Sequence, residues 1–319
     1  MKRSIVIILL AALIQFRCAT TQEPYYKETS AKDYLNEMLD YMEKNHVNRK
    51  TIDWPAFRSA VQQKAASAEK IIDADEGILY ALELHNVQTS FLITNQGKIL
   101  IFNTPCTDTA APEVNVPADI GYIRIPTFGS TGVNAAIFAE KMHGEIRDKD
   151  EAGLKGWIVD LRGNTGGNMW PMLAGIGPVL GNGLAGYFID SEDVKKAFGY
   201  KDGAATYDDA AVVAVSFPYT LLSTGSKVAV LVDHATTNAA ESVALAFNGK
   251  DNTRSFGPLT CGRAGGNQTF SMSDGSVLFL TVAFMADRAE VKQRGQLTPN
   301  ELVDDPTLIF DKAVEWIHQ

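Results

Sequence analysis

The chain has 319 residues, of which 45% are hydrophobic and 21% are charged, and its formal net charge is −9. This composition is that of an ordinary globular protein and allows one large domain with a small one beside it. Lysines and arginines are scattered singly, so the sequence lacks the basic stripe that a nucleic-acid partner requires. We therefore expect no nucleic-acid-binding function.

The N-terminus predicts a targeting segment. Two basic residues precede an apolar run, residues 4–16, which is too short to span a bilayer. Cys18 follows where a bacterial lipoprotein signal would end, although a phenylalanine and an arginine precede it instead of small residues. We expect a signal segment over 1–18, a tether over 19–30, and a periplasmic or outer-membrane lipoprotein. A lipid on Cys18 would then be the only membrane attachment; the alternative is an ordinary cleaved signal.

Two further cysteines, Cys106 and Cys261, remain after this segment. In an oxidising compartment they can form a disulfide. Two buried free thiols are the alternative, and the sequence leaves both open.

Three helical patterns come after the tether. Apolar residues recur at helical spacing after Thr29. Asp53 before a Trp-Pro pair predicts a helix start, because an aspartate N-cap and a first-turn proline both suit that end. A third helix is predicted over about 73–84. These helices form an N-terminal helical domain, 31–93, which is too small for much core of its own and is expected to pack on the rest of the chain.

The remaining chain, 94–319, predicts an α/β core domain. Continuous apolar runs over 156–161 and 227–232 indicate strands buried on both faces. Each run leads through a turn into a helix, over 168–180 and 238–250, and this repetition is typical of an α/β fold. Further predicted elements are strands over 98–103 and 120–125, a helix over 131–147, a hairpin turning at 273–275 and a closing helix from 304.

One candidate site segment, residues 159–167, reads Val-Asp-Leu-Arg-Gly-Asn-Thr-Gly-Gly. A buried strand delivers the chain to a turn that only glycines permit, and a helix begins at once. The backbone N–H groups of such a turn can stabilise an anion. Tight packing without any ligand explains the pattern equally well.

Two more segments are candidates. Residues 233–242 open a helix, whose N-terminus would favour a nucleophile. Asn238 is not an ordinary nucleophile, so physics alone favours a helix cap there, with Glu241 completing a capping box. Residues 257–268 form a glycine-rich loop with one cation, Arg263, which either lines a cleft or simply connects two strands.

Together these segments resemble the tail-specific, or C-terminal-processing, serine peptidases, a family that includes the tricorn core and the interphotoreceptor retinoid-binding protein repeats. The likeness covers most of residues 30–319. The matching runs are 156–172 for the central signature, 241–249 for the helix after the nucleophile, 252–268 for the next segment, and 273–275 with 286–288 for the closing hairpin. The resemblance implies an α/β fold with a crotonase-like or ClpP-like spiral core, preceded by a small helical bundle. The segment 94–120 is too short for the PDZ domain that many members carry.

The catalytic positions depart from the family pattern. The nucleophilic serine aligns with Asn238 and its serine neighbour with Ala239, while the histidine base aligns with Gln88, or with Thr89 if the register shifts by one. Members with a lysine base carry it near Arg263, and an arginine stays protonated. A carboxamide provides neither the nucleophile nor the base, so we expect the serine mechanism to be lost.

The resemblance also assigns the surrounding site. The catalytic positions are Asn238 for the nucleophile, Gln88 for the base, and Glu241; the oxyanion and substrate-binding positions are Gly166, Gly167, Ala239, Arg162 and Arg263. Backbone N–H groups and arginines suit a peptide or its C-terminal carboxylate. We expect no cofactor, and no His, Cys, Asp or Glu cluster has the spacing of a metal site.

The predicted function is therefore that of a peptidase-family protein of the cell envelope that binds peptides or protein C-termini. One alternative is an active serine-type endopeptidase with a rearranged site, or a thiol enzyme built on Cys261 and His234. Another is a carrier of apolar ligands. The histidines on predicted helices, His46, His143 and His318, are expected to be solvated.

Overall fold

The structure is a computed structural model that describes residues 29–83, 89–102, 106 and 111–319. The predicted signal segment, nearly all of the tether, and Gln88 lie outside the described residues. In chain order the elements are α1 (Ala31–Asn45), α2 (Trp54–Lys64), α3 (Asp75–Glu83), β1 (Phe91–Ile93), β2 (Ile99–Leu100), β3 (Ile120–Arg124), α4 (Val133–Lys149), β4 (Gly156–Asp160), α5 (Met169–Leu180), β5 (Gly183–Asp190), β6 (Lys195–Lys201), β7 (Ala204–Tyr207), β8 (Ala210–Ala214), β9 (Lys227–Leu231), α6 (Ala239–Phe247), β10 (Thr253–Gly257), β11 (Gly266–Ser271), β12 (Val277–Ala286), β13 (Glu301–Leu302) and α7 (Ile309–His318).

The N-terminal helices begin where side-chain caps predict. Ser30 accepts a hydrogen bond from the N–H of Asp33 at 3.1 Å, and Asp53 caps α2 by accepting from the N–H of Ala56 at 3.2 Å. The apolar faces of α1 to α3 form a core together with residues of β1, β2 and β12. The helical bundle therefore buries its apolar surface on the antiparallel sheet to which those strands belong, as its small size requires.

The described strands form two sheets. The first is parallel, in the order β13-β10-β9-β4-β3. The second is antiparallel, in the order β2-β1-β12-β5-β6-β7-β8, and β11 also pairs with β12. The meander from β5 to β8 was not predicted from the sequence.

The parallel sheet is covered on both faces. Helix α7 packs on one face, over Ile158, Leu231 and Phe256. Helices α4, α5 and α6 cover the other face and are themselves covered by the antiparallel meander. This layering confirms the predicted α/β class and explains why β4 and β9 are continuous apolar runs.

Two predicted surface histidines are buried instead. His46 and His143 are each 1% exposed. His143 lies on α4, where its Nδ1 accepts from the N–H of Tyr219 at 3.3 Å, so its Nε2 donates to the carbonyl of Ala174 at 2.9 Å. Burial lowers the pKa of His143. None of the helices in the described residues combines the length and hydrophobicity needed to cross a membrane.

Candidate active site

The candidate site lies where β4 and β9 end at the carboxyl edge of the parallel sheet. Hydrogen bonds join the turns that come after these neighbouring strands, and two of them are donated by backbone N–H groups. The N–H of Gly163 donates to Asp233 Oδ2 at 2.7 Å, and the N–H of Thr237 donates to the carbonyl of Asn164 at 3.2 Å. The sheet register thus brings two of the three predicted segments into contact.

Asn238 occupies a strained turn at the start of α6. Its backbone has φ 53° and ψ −113°, a conformation that residues other than glycine rarely adopt. A sharp, strained strand-to-helix turn of this kind presents the nucleophile in hydrolases that have an elbow. The Asn238 side chain is partly exposed, and its N–H donates to Glu241 Oε2 at 3.0 Å. The turn at Asn238 therefore resembles such an elbow, and the side chain that it presents is a carboxamide.

The Gly166–Gly167 turn lies directly against Asn238. A Cβ on Gly166 would lie 2.9 Å from the Asn238 Cβ, and Gly166 has φ +93°, so only glycine fits. The N–H of Gly166 is used inside the turn, where it donates to Asn164 Oδ1 at 2.8 Å. Gly167 and Ala239 are different, because among the described residues their N–H groups have no acceptor. These two N–H groups, and not that of Gly166, are the available donors for an anion.

Glu241 is fully buried and holds the third segment in place. Its carboxylate accepts from the N–H groups of Gly262 at 2.7 Å and Arg263 at 2.6 Å, and from the hydroxyl of Thr260. Burial raises the pKa of Glu241, and these hydrogen bonds oppose that rise. Glu241 is thus committed to joining the helix start to the glycine-rich loop.

A disulfide joins Cys261 to Cys106, with Cα atoms 5.7 Å apart. The N–H of Cys261 also donates to the carbonyl of Thr236 at 3.0 Å, which fixes the loop beside the turn. This pairing resolves the alternative left open by the sequence. It also removes the thiol that a Cys261–His234 enzyme would need.

Arg162, which is predicted to contact substrate, is buried and paired with Asp160. Its side chain is 2% exposed and donates to both carboxylate oxygens of Asp160, at 2.9 and 2.8 Å. Arg124 and Tyr122 donate to the same carboxylate. Burial raises the pKa of Asp160, but these partners outweigh it and lower the pKa overall. Arg162 neutralises a buried carboxylate, which the sequence pattern did not indicate.

Arg263 is connected to the candidate site through Glu241. Its backbone N–H bonds Glu241, and the residue as a whole is 9% exposed. Burial lowers the pKa of the guanidinium, while the Glu241 carboxylate raises it. Since an arginine keeps its proton in proteins, it brings a positive charge to this part of the site.

The position predicted for the base lies at the edge of the described residues. Gln88 is outside them, but Thr89 is described and lies beside the glycine-rich loop: a Cβ on Gly265 would be 3.1 Å from Thr89 Oγ1. The Thr89 hydroxyl is buried and hydrogen-bonded to Thr281 Oγ1. If the register shifts by one residue, the base position is therefore held by a hydroxyl.

The hydroxyls of Ser242 and Thr237, on either side of the turn, are both buried. Ser242 Oγ donates to the carbonyl of Asn238 at 3.0 Å and contacts Met285 Sδ at 2.8 Å, which directs it into the core. Thr237 Oγ1 is buried and makes no hydrogen bond with the described residues, so none of them is placed to accept its proton. In the part of the chain that is described, no group of three His, Cys, Asp or Glu side chains is placed to hold a metal ion.

Sequence reasoning missed the residues that organise these turns. Asp233 and Thr236 bond each other, and Thr236 Oγ1 also donates to the carbonyl of Leu161 at 3.1 Å. Asn164 accepts at both its side chain and its backbone. An Asp followed three residues later by Thr is the signal for such a turn, because Asp and Thr side chains bond nearby backbone groups.

Comparison with known proteins identifies the family to which this chain belongs. The model of peptidase family S41 matches residues 119–303, which is more than half of the chain. The chain therefore belongs to peptidase family S41. Since that family comprises the C-terminal-processing peptidases, the resemblance seen in the sequence is confirmed.

Individual relatives are distant. The nisin-resistance protein of Lactococcus lactis is 23% identical, over 92% of this chain and 89% of the relative. The carboxy-terminal processing protease CtpA of Bacillus subtilis is 28% identical over 56% of this chain, which spans about a third (34%) of that protease. A lipoprotein from Streptococcus agalactiae has a similar fold, with a TM-score of 0.72 at 23% identity, over 93% of this chain and 99% of that one.

Proposed function

We propose that this protein is an exported, cell-envelope member of peptidase family S41 that binds peptides or protein C-termini and does not cleave them by the serine mechanism. The observation that carries the proposal is the carboxamide of Asn238 at the strained turn against Gly166 and Gly167. A carboxamide has no hydroxyl proton whose removal creates a nucleophile. Gln88, at the aligned base position, has no group that titrates near neutrality.

The binding half of the proposal rests on the donors that remain. The N–H groups of Gly167 and Ala239 have no acceptor among the described residues, and Arg263 adds a positive charge on the glycine-rich loop. Backbone donors with an arginine suit a carboxylate. The names of two relatives, a nisin-resistance protein and a carboxy-terminal processing protease, support a peptide ligand by analogy.

The location is inferred from the N-terminus and from one fold relative. The apolar run over 4–16 is the pattern of an export signal, and Cys18 after it offers a lipidation site, although a phenylalanine and an arginine stand before it instead of small residues. The lipoprotein from Streptococcus agalactiae supports an exported cell-envelope protein by analogy. We propose a periplasmic or outer-membrane lipoprotein. No observation favours the rearranged endopeptidase or the apolar-ligand carrier over this function.

Calorimetry with two probes tests the function: nisin, and a short synthetic peptide ending in Ala-Ala with either a free C-terminal carboxylate or a C-terminal amide. We expect binding, with the carboxylate form about tenfold tighter than the amide form. Arg263→Met should reduce that preference, whereas Arg254→Met, on the exposed side of β10, should keep it. Equal binding of both forms, or fragments of either peptide after incubation, would contradict the proposal.

A further inference from the structure

We propose that Asn238 is a site of self-modification, at which the folded protein converts the side-chain amide into a cyclic succinimide and then into aspartate or isoaspartate. The proposal concerns the backbone at Asn238 and the nitrogen of Ala239. It does not depend on whether the site binds peptides.

The geometry at Asn238 favours ring closure. The substituents of Cα are about 120° apart when viewed along the Cα–C bond, because the carbon is tetrahedral. With a ψ of −113°, the bond from the carbonyl carbon to the nitrogen of Ala239 nearly eclipses the Cα–Cβ bond of Asn238. In this arrangement Cβ and that nitrogen lie on the same side, as they do in a five-membered ring. At Asn248, which ends α6, ψ is 137°, and the next nitrogen points away from Cβ.

The reaction needs no added cofactor. A solvent base removes the proton of the Ala239 amide, whose nitrogen bonds to Asn238 Cγ. The bond from Cγ to Nδ2 then breaks, and Nδ2 takes up a proton and leaves as ammonia. Water later adds to either carbonyl of the succinimide and opens the ring, which gives aspartate or isoaspartate.

The surroundings favour the same reaction. The Ala239 N–H has no acceptor among the described residues, so no hydrogen bond must be broken before the attack. It is at the N-terminus of α6, whose positive end stabilises a deprotonated amide. The Asn238 Cβ lies against the Gly166–Gly167 turn, and the N–H of Gly167 in that turn has no acceptor among the described residues, so it is a candidate donor for the charge that develops on Asn238 Oδ1. The fold has also fixed ψ in advance, which removes an entropic cost.

The test compares Asn238 with Asn248 in the same molecules. Asn248 precedes a glycine, which is the least hindered neighbour, so in a urea-unfolded chain it should lose its amide first. In the folded protein at mildly alkaline pH we expect the reverse order, with Asn238 reacting about tenfold faster than it does in urea. Samples are digested in acid with pepsin, to avoid further reaction, and both peptides are quantified by mass spectrometry.

A trapping experiment supplies an independent readout. Hydroxylamine cleaves succinimides, so native protein should be cut between Asn238 and Ala239, and Asn238→Gln should not be cut there because its ring would need six members. If Asn238→Gln fails to fold by circular dichroism, the native and urea comparison still decides. The proposal is overturned if folded Asn238 keeps its amide as long as Asn248 does, or reacts no faster than in urea.

Discussion

Gly166 and Asn238 touch across the carboxyl edge of the parallel sheet: a Cβ on Gly166 would lie 2.9 Å from the Asn238 Cβ. This contact joins the turn after β4 to the turn after β9. The glycine turn after β4 therefore lies against the residue that opens α6.

Gly166→Ala should destabilise the fold and disturb this contact. The added methyl combines a positive φ of +93° with contacts at 2.9 Å to Asn238 and to the carbonyl of Thr237, so we expect a loss of about 3 kcal/mol in the free energy of unfolding. Gly163→Ala is the matched control, since φ is +74° there but nothing lies within 4 Å. It should lose about 1 kcal/mol in urea unfolding. Equal losses would show that the contact is not tight.

Glu241→Gln should separate the glycine-rich loop from α6. The amide replaces one acceptor oxygen by a donor, which would face the N–H groups that Glu241 now accepts from. We expect a loss of about 3 kcal/mol in urea unfolding, because buried N–H groups lose their acceptor. Glu315→Gln, at an exposed carboxylate of α7, should leave the urea midpoint unchanged. An unchanged midpoint for Glu241→Gln would mean that the loop is held by other contacts.

The ionised Asp160 should make the free energy of unfolding depend on pH in the acidic range. Arg162, Arg124 and Tyr122 lower its folded pKa below the unfolded value of about 3.9. Its contribution is therefore present above the unfolded pKa and is lost as pH falls through the folded pKa. Asp160→Asn should cost about 3 kcal/mol at neutral pH, because it leaves buried positive charge without its partner.

The gap between wild type and Asp160→Asn should narrow below about pH 4. Urea midpoints measured across pH give this gap. Asp311→Asn, at an exposed carboxylate, serves as the control. A gap that stays constant with pH would contradict the assignment of the charge to Asp160.

The disulfide should stabilise the loop that carries Arg263. It links two residues with a sequence separation of 155, so removing it should cost about 4 kcal/mol, mainly by enlarging the unfolded ensemble. Thermal unfolding with and without reductant measures this loss. The double variant Cys106→Ser and Cys261→Ser should match reduced wild type and ignore reductant. A wild type that is equally insensitive would show that the thiols are unpaired in solution.

Much of the core could be predicted because strands buried on both faces have a recognisable sequence pattern. β4 and β9 are buried on both faces and read as unbroken apolar runs, and glycines mark the turn after β4. The meander was missed because its strands carry weak patterns. β8 is made of alanine and valine and is mostly exposed, so it has no alternation to detect.

Some details of the site depended on how the strands and helices are placed, which the sequence alone does not give. The sequence alone predicts that Arg162 is available to a ligand, because Asp160 cannot be recognised as its buried partner until β4 is placed between β3 and β9. The sequence predicts a solvated His143 because α4 is polar along much of its length. In the structure, α5 covers the face of α4 that carries His143. The partner of Cys261 required the fold, since spacing alone does not fix a disulfide.

The central claim is that Asn238, at the strained turn against Gly166 and Gly167, carries a carboxamide, which cannot act as a nucleophile. Reaction of the purified wild-type protein with a fluorophosphonate, alongside digestion of casein, tests this most directly. The account predicts no labelled residue and no fragments. Covalent labelling of any one residue, accompanied by turnover of casein, would contradict it.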